Sequence, residues 1–198
     1  TSRLPALKMQ TGADESQIGL MLLCLGVSSL AALFCSSRLI ARWGSRGILK
    51  NSALILVIAV VLSCLAQTPV QLGAGCLLAG ASMGLVDVAM NTQGIHTEHR
   101  YRTSCMSFMH AAYSFGGVTG SVTGAFFAGL GLSPFINAVC VLGVYACFLL
   151  KAASHLLSDM PASPAEEKKA SSRALPLFVI LCGVFSMLAY AAEGSVAE

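Results

Sequence analysis

The sequence predicts an all-α fold, a polytopic membrane helix bundle, from its apolar composition, the length of its apolar runs and the charge pattern of its loops. Of 198 residues, 56% are hydrophobic and only 11% are charged, whereas soluble domains carry roughly 25% charged residues. The apolar runs approach the roughly 20 residues that a helix needs to cross a bilayer. These features exclude an ordinary soluble fold and indicate a chain that is buried in lipid.

Five full-length membrane spans are predicted, and a sixth begins near Pro176. The five are 18–40, 48–65, 70–93, 106–130 and 134–150. Asp14 and Gln17, three residues apart, predict a capping pair before the first span. Pro134 and Pro176 fit first helical turns, where the missing N–H of proline costs little. The starts of these helices are therefore encoded locally.

Positive charge falls in every second loop. The basic side chains after the first span begins are Arg38, Arg42, Arg46 and Lys50, then Arg100 and Arg102, then Lys151, Lys168, Lys169 and Arg173, while the connections 66–69 and 131–133 carry none. The positive-inside rule predicts that the basic loops are cytoplasmic and that residues 1–17 lie outside. With a native N-terminus inside, an upstream helix is expected, so the spans become helices two to six and the start of seven in a twelve-helix protein.

The segment 155–174 differs from the other loops because it is rich in Pro, Ser and charged residues and poor in apolar ones. Such a composition predicts a flexible cytoplasmic linker. We therefore expect three regions. They are 1–154, an N-terminal six-helix half whose first helix is largely missing; 155–174, the linker; and 175–198, the truncated start of a C-terminal half.

Charge, cysteine and histidine usage argue against other classes of protein. The net charge of +3 is small and its cations lie in loops, so no nucleic-acid partner is expected. The eight cysteines lie in or beside apolar runs without a C-x-x-C pair, which is typical of buried apolar residues. His96, Glu98 and His99, assigned to a basic loop, do not reproduce H-E-x-x-H, so neither a metal site nor a cofactor is expected.

The first basic loop carries a recognisable motif, SRLIARWGSR at residues 37–46. It resembles G-x-L-a-D-r-x-G-r-r, the loop between helices two and three of the major facilitator superfamily of transporters. The matching residues are Leu39, Arg42, Gly44 and Arg46, whereas Ser37 and Ala41 replace the usual Gly and Asp. The resemblance implies a cytoplasmic gating loop formed by Arg42, Gly44 and Arg46. In the family the Asp of this loop takes part in a charge relay that locks the two halves, and Ala41 cannot supply that charge.

Two further stretches sharpen this resemblance. GASMGLVDVAMNTQG at 80–94 and HAAYSFGG at 110–117 are similar to the bacterial inner-membrane branch near the proton-coupled fucose permease, which keeps a carboxylate and an Asn one turn apart on helix four. The resemblance implies a multi-pass, monomeric carrier in the bacterial inner membrane, with lipid, a sugar or other small polar solute, and protons as partners. The fifth helix lacks the Gly-Pro pair of antiporters, which favours symport or uniport.

Asp87 is the strongest candidate for a functional residue, because an ionisable group inside a spanning helix costs several kcal/mol in lipid and usually faces a water-filled pathway. Asn91 lies four residues later, so both side chains project from one helix face. We expect Asp87 to take up and release a proton while Asn91 binds substrate or steadies the carboxylate. The alternative is a structural carboxylate that a neighbouring helix satisfies.

Three more residues are candidates for proton coupling or substrate binding. Glu193 is a second acid among small residues in the last apolar run, although it also fits an interfacial charge. His110 and Tyr113, three residues apart near the start of the span 106–130, can hydrogen-bond a polar solute. Anchoring of Tyr113 at the membrane interface is the competing interpretation.

Glycines recur at four-residue spacing in two predicted spans. They are Gly80 and Gly84 in one span and Gly116, Gly120 and Gly124 in another. Small residues at this spacing permit close packing of helices. The packing is either static or allows helices to slide during transport.

Together these patterns predict a secondary active transporter, proton-coupled and working by alternating access. The resemblance alone implies that its substrate is a sugar or another small polar solute. The alternative is a non-transporting membrane scaffold or sensor with the same fold, since fold does not fix function. No nucleophile and base converge in the sequence, so an enzyme is not expected.

Overall fold

The computed structural model of the chain describes residues 4–157, all of which fall in the first of two units of the chain, Thr1–Asp159. These residues form five helices and no strand, which confirms the predicted all-α class. The helices are α1 (Leu4–Thr11), α2 (Glu15–Leu65), α3 (Pro69–Tyr101), α4 (Met106–Gly129) and α5 (Pro134–His155). The predicted sixth span and most of the predicted linker lie outside the described residues.

Helix α2 contains the first two predicted spans and differs from the prediction where a loop was expected between them. The chain stays helical through this region except at Gly44, whose φ of 73° and ψ of 152° interrupt the helix. This conformation is almost restricted to glycine because a Cβ would collide with the backbone. The two predicted spans are therefore separated by a break at one glycine and not by a loop.

The start of α2 is capped as the sequence predicts. The Asp14 carboxylate accepts a hydrogen bond of 2.7 Å from the backbone N–H of Gln17, and the Gln17 side chain accepts one of 3.1 Å from the N–H of Asp14. This reciprocal pair satisfies two of the N–H groups that a helix start leaves open. Pro134 likewise occupies the first turn of α5, as predicted.

Helix α1 is an element that the sequence analysis missed, because eight residues are too few for a clear helical pattern. The Gln10 side chain donates to the carbonyls of Cys64 (3.0 Å) and Ala66 (2.8 Å), where α2 ends. A small apolar cluster lies beside it, formed by Ala13, Met21, Ala66 and Leu72. Residues before the first span are thus packed against the ends of α2 and α3.

Helix α3 packs against both halves of α2. Gly80 and Gly84 approach the backbone of the first half, at Leu25 and Ser29. In the second half, Gly75 contacts Ser63 and Gln93 contacts Ser45. Residue numbers rise together in the first pairing and in opposite directions in the second. Helix α3 therefore runs parallel to the first half of α2 and antiparallel to the second, as successive membrane crossings require.

Membrane-spanning potential within residues 4–157 is clearest in two helices, α2 and α3, which are long and apolar enough to cross a bilayer. The stretch Pro134–Tyr145 in α5 is a shorter apolar segment. Many large apolar side chains are exposed, among them Phe34 (83%), Val70 (82%) and Phe108 (76%). Such surfaces suit contact with lipid or with other helices rather than with water.

Helix α3 extends two turns beyond residue 93, where the sequence predicted that the span ends and a loop begins. The helix continues to Tyr101, and Arg102 ends it in the left-handed conformation, with φ of 54°. His96, Glu98 and His99 therefore lie on a helix and not in a loop. At about 1.5 Å per residue, 33 residues span about 50 Å, more than the roughly 30 Å of hydrocarbon in a bilayer.

Candidate functional site

Asp87 lies in the middle of α3 on the same helix stripe as the two glycines that touch α2. Residues 80, 84, 87 and 91 follow one another at spacings of three and four, which places them on one face. Gly80 and Gly84 are buried, whereas Asp87 is exposed within the described part of the chain. The close contact with α2 thus gives way, one turn further on, to an accessible carboxylate.

The environment of Asp87 bears on whether it is a structural acid. Among residues 4–157 its carboxylate forms no hydrogen bond and no ion pair. A structural carboxylate in an apolar helix needs such a partner, because an unpaired charge is costly there. Residues 4–157 therefore provide no partner of the kind that a structural carboxylate needs, and the Asp87 side chain is exposed among them.

Asn91 carries the second polar side chain of this stripe. Its Oδ1 atom is buried and has no hydrogen-bond partner among the described residues. A buried amide oxygen without a partner costs about 1–3 kcal/mol. Asp87 and Asn91 together place an exposed acid and an unsatisfied acceptor on one helix face, an arrangement that can bind hydroxyl groups and protons.

The glycine stripes predicted to pack helices differ sharply in their surroundings. A Cβ added to Gly84 would lie 2.5 Å from the carbonyl oxygen of Ser29, and one added to Gly80 would lie 2.9 Å from the carbonyl carbon of Leu25. A Cβ added to Gly116 or Gly120 would meet nothing within 4 Å among the described residues outside its own turn of helix, and Gly124 is buried. Close packing is thus seen on α3, whereas a packing role for the α4 stripe stays a prediction.

Gln93 joins three parts of the fold that the sequence analysis did not connect. Its Nε2 atom donates to Ser45 Oγ at 2.7 Å and to the carbonyl of Leu157 at 3.0 Å, and its Oε1 accepts from the N–H of Leu157 at 3.0 Å. Gln93 is 5% exposed and Ser45 is fully buried. A Gln at the end of an otherwise apolar run was the available signal, but nothing local indicates its partners.

The predicted gating residues surround the break in α2. Gly44 forms the break itself, and the next residue is Ser45, the partner of Gln93. Arg42 is exposed, with its guanidinium carbon 5.6 Å from the centre of the Trp43 ring, within the range of a cation–π interaction. Arg46 is partly buried. The motif thus adjoins the buried hydrogen bonds of Gln93.

Glu98 connects α3 to the start of α4. Its Oε1 atom accepts hydrogen bonds from the backbone N–H groups of Cys105 (2.7 Å) and Met106 (2.9 Å). These are N–H groups that α4 leaves open at its first turn, and Cys105 itself provides no side-chain cap. Glu98 therefore has a structural role that its assignment to a loop concealed.

The other predicted site residues are not brought to Asp87 by hydrogen bonds. His110 and Tyr113 lie on an exposed stretch of α4, and Tyr113 is 64% exposed. Glu193 lies outside the described residues. Within residues 4–157, no three side chains of His, Cys, Asp or Glu come together as they would around zinc. The described candidate site therefore centres on α3.

Comparison with known proteins identifies relatives along nearly the whole chain. An uncharacterized MFS-type transporter of Yersinia pestis is 30% identical over 201 residues, covering 98% of this chain and 50% of the relative. An uncharacterized transporter of Sinorhizobium fredii is 28% identical over 75% of this chain and 41% of its own length. Membrane protein MosC of Rhizobium meliloti is 25% identical over 98% of this chain and 47% of its own length.

The chain spans about half the length of these relatives. No solved structure matches it significantly. A family profile described as Major Facilitator Superfamily matches residues 3–195. With its apolar helices and transporter-named relatives, the chain is part of a multi-pass membrane protein, and it belongs to the Major Facilitator Superfamily.

Proposed function

We propose that the complete protein is a secondary active transporter of a small polar solute, with sugars as the first candidates, in the bacterial inner membrane. Transport is coupled to protons through Asp87 and proceeds by alternating access. The family and the transporter names of two relatives support the transport role. The solute class and the coupling rest on the chemistry of α3.

The observation that carries this proposal is the state of Asp87. It is an acid within a membrane-spanning helix, exposed, and without an ion pair or hydrogen bond to residues 4–157. An intramembrane acid is retained despite its cost where it serves an ion or substrate pathway. Asn91, one turn away with an unsatisfied buried oxygen, supplies a hydrogen-bond acceptor for a hydroxylated solute.

Gating is assigned to the end of the helices where Gly44 and Gln93 lie. Alternating access requires helices that move as rigid bodies about defined contacts. The Gln93 side chain ties the break in α2 to the end of α5. We assign to Arg42, Gly44 and Arg46, beside this contact, the gating role of the motif loop.

Uptake by the full-length protein in proteoliposomes tests the proposal. Labelled sugars and small organic acids are supplied with and without an imposed pH gradient, for wild type, Asp87→Asn and Asn91→Ala. We expect a gradient to accelerate uptake of one solute class. Asp87→Asn should abolish that acceleration, whereas Asn91→Ala should raise KM and leave the gradient dependence intact.

Glu15→Gln is the matched control, because Glu15 is an exposed acid at the start of α2 that pairs with Lys8. It should transport as wild type does. Gradient dependence that survives Asp87→Asn would refute coupling through Asp87. Failure of wild type to take up any solute of the panel would instead support a scaffold or sensor.

A further inference from the structure

Three sulfur-bearing side chains converge where α4 begins against α3. The Cys105 Sγ atom lies 3.9 Å from Met109 Sδ and 3.8 Å from the carbonyl oxygen of Gly94. A Cβ placed on Gly94 would lie 2.5 Å from Met106 Sδ and 3.1 Å from Met109 Sδ. The thiol and both thioethers therefore approach one small region beside Gly94.

The surrounding residues hold this region in place. Glu98 accepts hydrogen bonds from the N–H groups of Cys105 and Met106, which fixes the backbone that carries two of the sulfurs. Gly94 is buried, and its missing side chain provides the space that the methionines enter. We define Cys105, Met106 and Met109 as the sulfur cluster. Gly94 leaves space for its side chains, and Glu98 holds its backbone.

The donor atoms of this cluster suit a particular class of ligand. Thiolate and thioether donors select soft ions such as Cu(I), unlike the oxygen and imidazole donors of harder metals. With metal–sulfur bonds of about 2.3 Å, two ligands of a trigonal ion lie about 4.0 Å apart. The 3.9 Å between Cys105 Sγ and Met109 Sδ is also an ordinary sulfur contact, and it is compatible with both atoms binding one ion.

We propose that Cys105, Met106 and Met109 form a binding site for a soft monovalent metal ion, Cu(I), at the junction of α3 and α4. The ion binds the Cys105 sulfur as thiolate, and the thiol proton passes to solvent. The sulfur donors come from the start of α4, whereas Asp87 and Asn91 belong to α3. It lies at the end of the bundle predicted to be cytoplasmic, where thiols stay reduced.

Metal competition with the full-length protein in detergent tests this site. Reduced protein is titrated into the coloured Cu(I)–bicinchoninate complex, and loss of colour measures the copper that the protein withdraws. We expect Cys105→Ser and Met109→Leu each to withdraw less copper than wild type, by about one equivalent. Ag(I) should compete for the same equivalent, whereas Zn(II) and Mg(II) should not.

Two control variants separate this site from the other sulfurs of the chain. Cys140 and Met83 are exposed on α5 and α3, so Cys140→Ser and Met83→Leu should withdraw as much copper as wild type. Elution volume and Tm of every variant show that the fold is kept. If Cys105→Ser and Met109→Leu withdraw as much as wild type, the methionines only fill the space beside Gly94, and the proposal is wrong.

Discussion

Gln93 forms two hydrogen bonds with the backbone of Leu157, 64 residues further along the chain. Its amide donates to the carbonyl and accepts from the N–H, both at 3.0 Å. A single side chain thereby satisfies both polar groups of a residue just beyond the end of α5. Because Gln93 also contacts Ser45, the break in α2, the body of α3 and the end of α5 meet at one buried point.

Replacing Gln93 by Leu should destabilise the full-length protein by about 1–3 kcal/mol, because the partly buried backbone N–H and C=O of Leu157 lose their partner. Thermal unfolding in detergent, followed by circular dichroism, measures the loss as a lower Tm. Thr92→Val is the control, since among residues 4–157 the Thr92 hydroxyl bonds only to the carbonyl of Val88 within its own helix. Equal Tm values for the two variants would show that the contact contributes nothing to stability.

Gly44→Ala should lower stability by about 1–3 kcal/mol, because alanine is strained at φ of 73° and ψ of 152°. Gly47→Ala is a close comparison three residues away, where an added Cβ meets nothing within 4 Å and alanine favours the helix. Denaturation midpoints of the two variants should therefore move in opposite directions. A Gly44→Ala protein as stable as wild type would mean that the break is not required.

Gly84→Ala should separate α3 from the first half of α2, since the new methyl group would lie 2.5 Å from the carbonyl oxygen of Ser29. Forcing an atom into such a contact costs about 1–3 kcal/mol. Gly116→Ala adds the same atom where nothing lies within 4 Å and should be neutral or stabilising. Cross-linking of cysteines introduced at Ser29 and Met83 would report the altered spacing directly, and unchanged cross-linking would contradict it.

Lowering the pH should loosen the start of α2. Hydrogen bonds from Ser16 and from the backbone N–H of Gln17 lower the pKa of Asp14 below its ordinary value of 3.8. The cap is therefore fully formed above the unfolded pKa and is lost as pH falls through the folded pKa. The protection of amides 15–18, taken relative to their intrinsic exchange rates, should fall over that acidic range in wild type and should be low at every pH in Asp14→Ala.

Much of the helix pattern follows from local sequence. Span length, the Asp14–Gln17 pair and Pro134 predict where α2 and α5 begin, because a membrane helix satisfies its own backbone and needs only a long apolar run and a cap. The predicted ends of the helices were less accurate than their starts. Helix α3 continues through His96 and Glu98 because those polar residues remain compatible with a helix, and the charge pattern alone suggested a loop.

The candidate site was predicted only in part. The shared face of Asp87 and Asn91 follows from helical periodicity, but the exposure of Asp87 and the buried oxygen of Asn91 depend on what surrounds α3. The same holds for the glycine stripes. Periodicity marked Gly84 and Gly116 alike, and only the position of a neighbouring helix distinguishes them.

By itself, the sequence determined that the chain is a bundle of apolar helices, where most of them begin, and which polar residues lie within them. These properties depend on neighbours within a few residues, through hydrophobic length and capping. Only the tertiary structure decided that Gln93 meets Ser45 and Leu157, and that Cys105 and Met109 meet beside Gly94. Such contacts depend on the path of the chain, which no local pattern encodes.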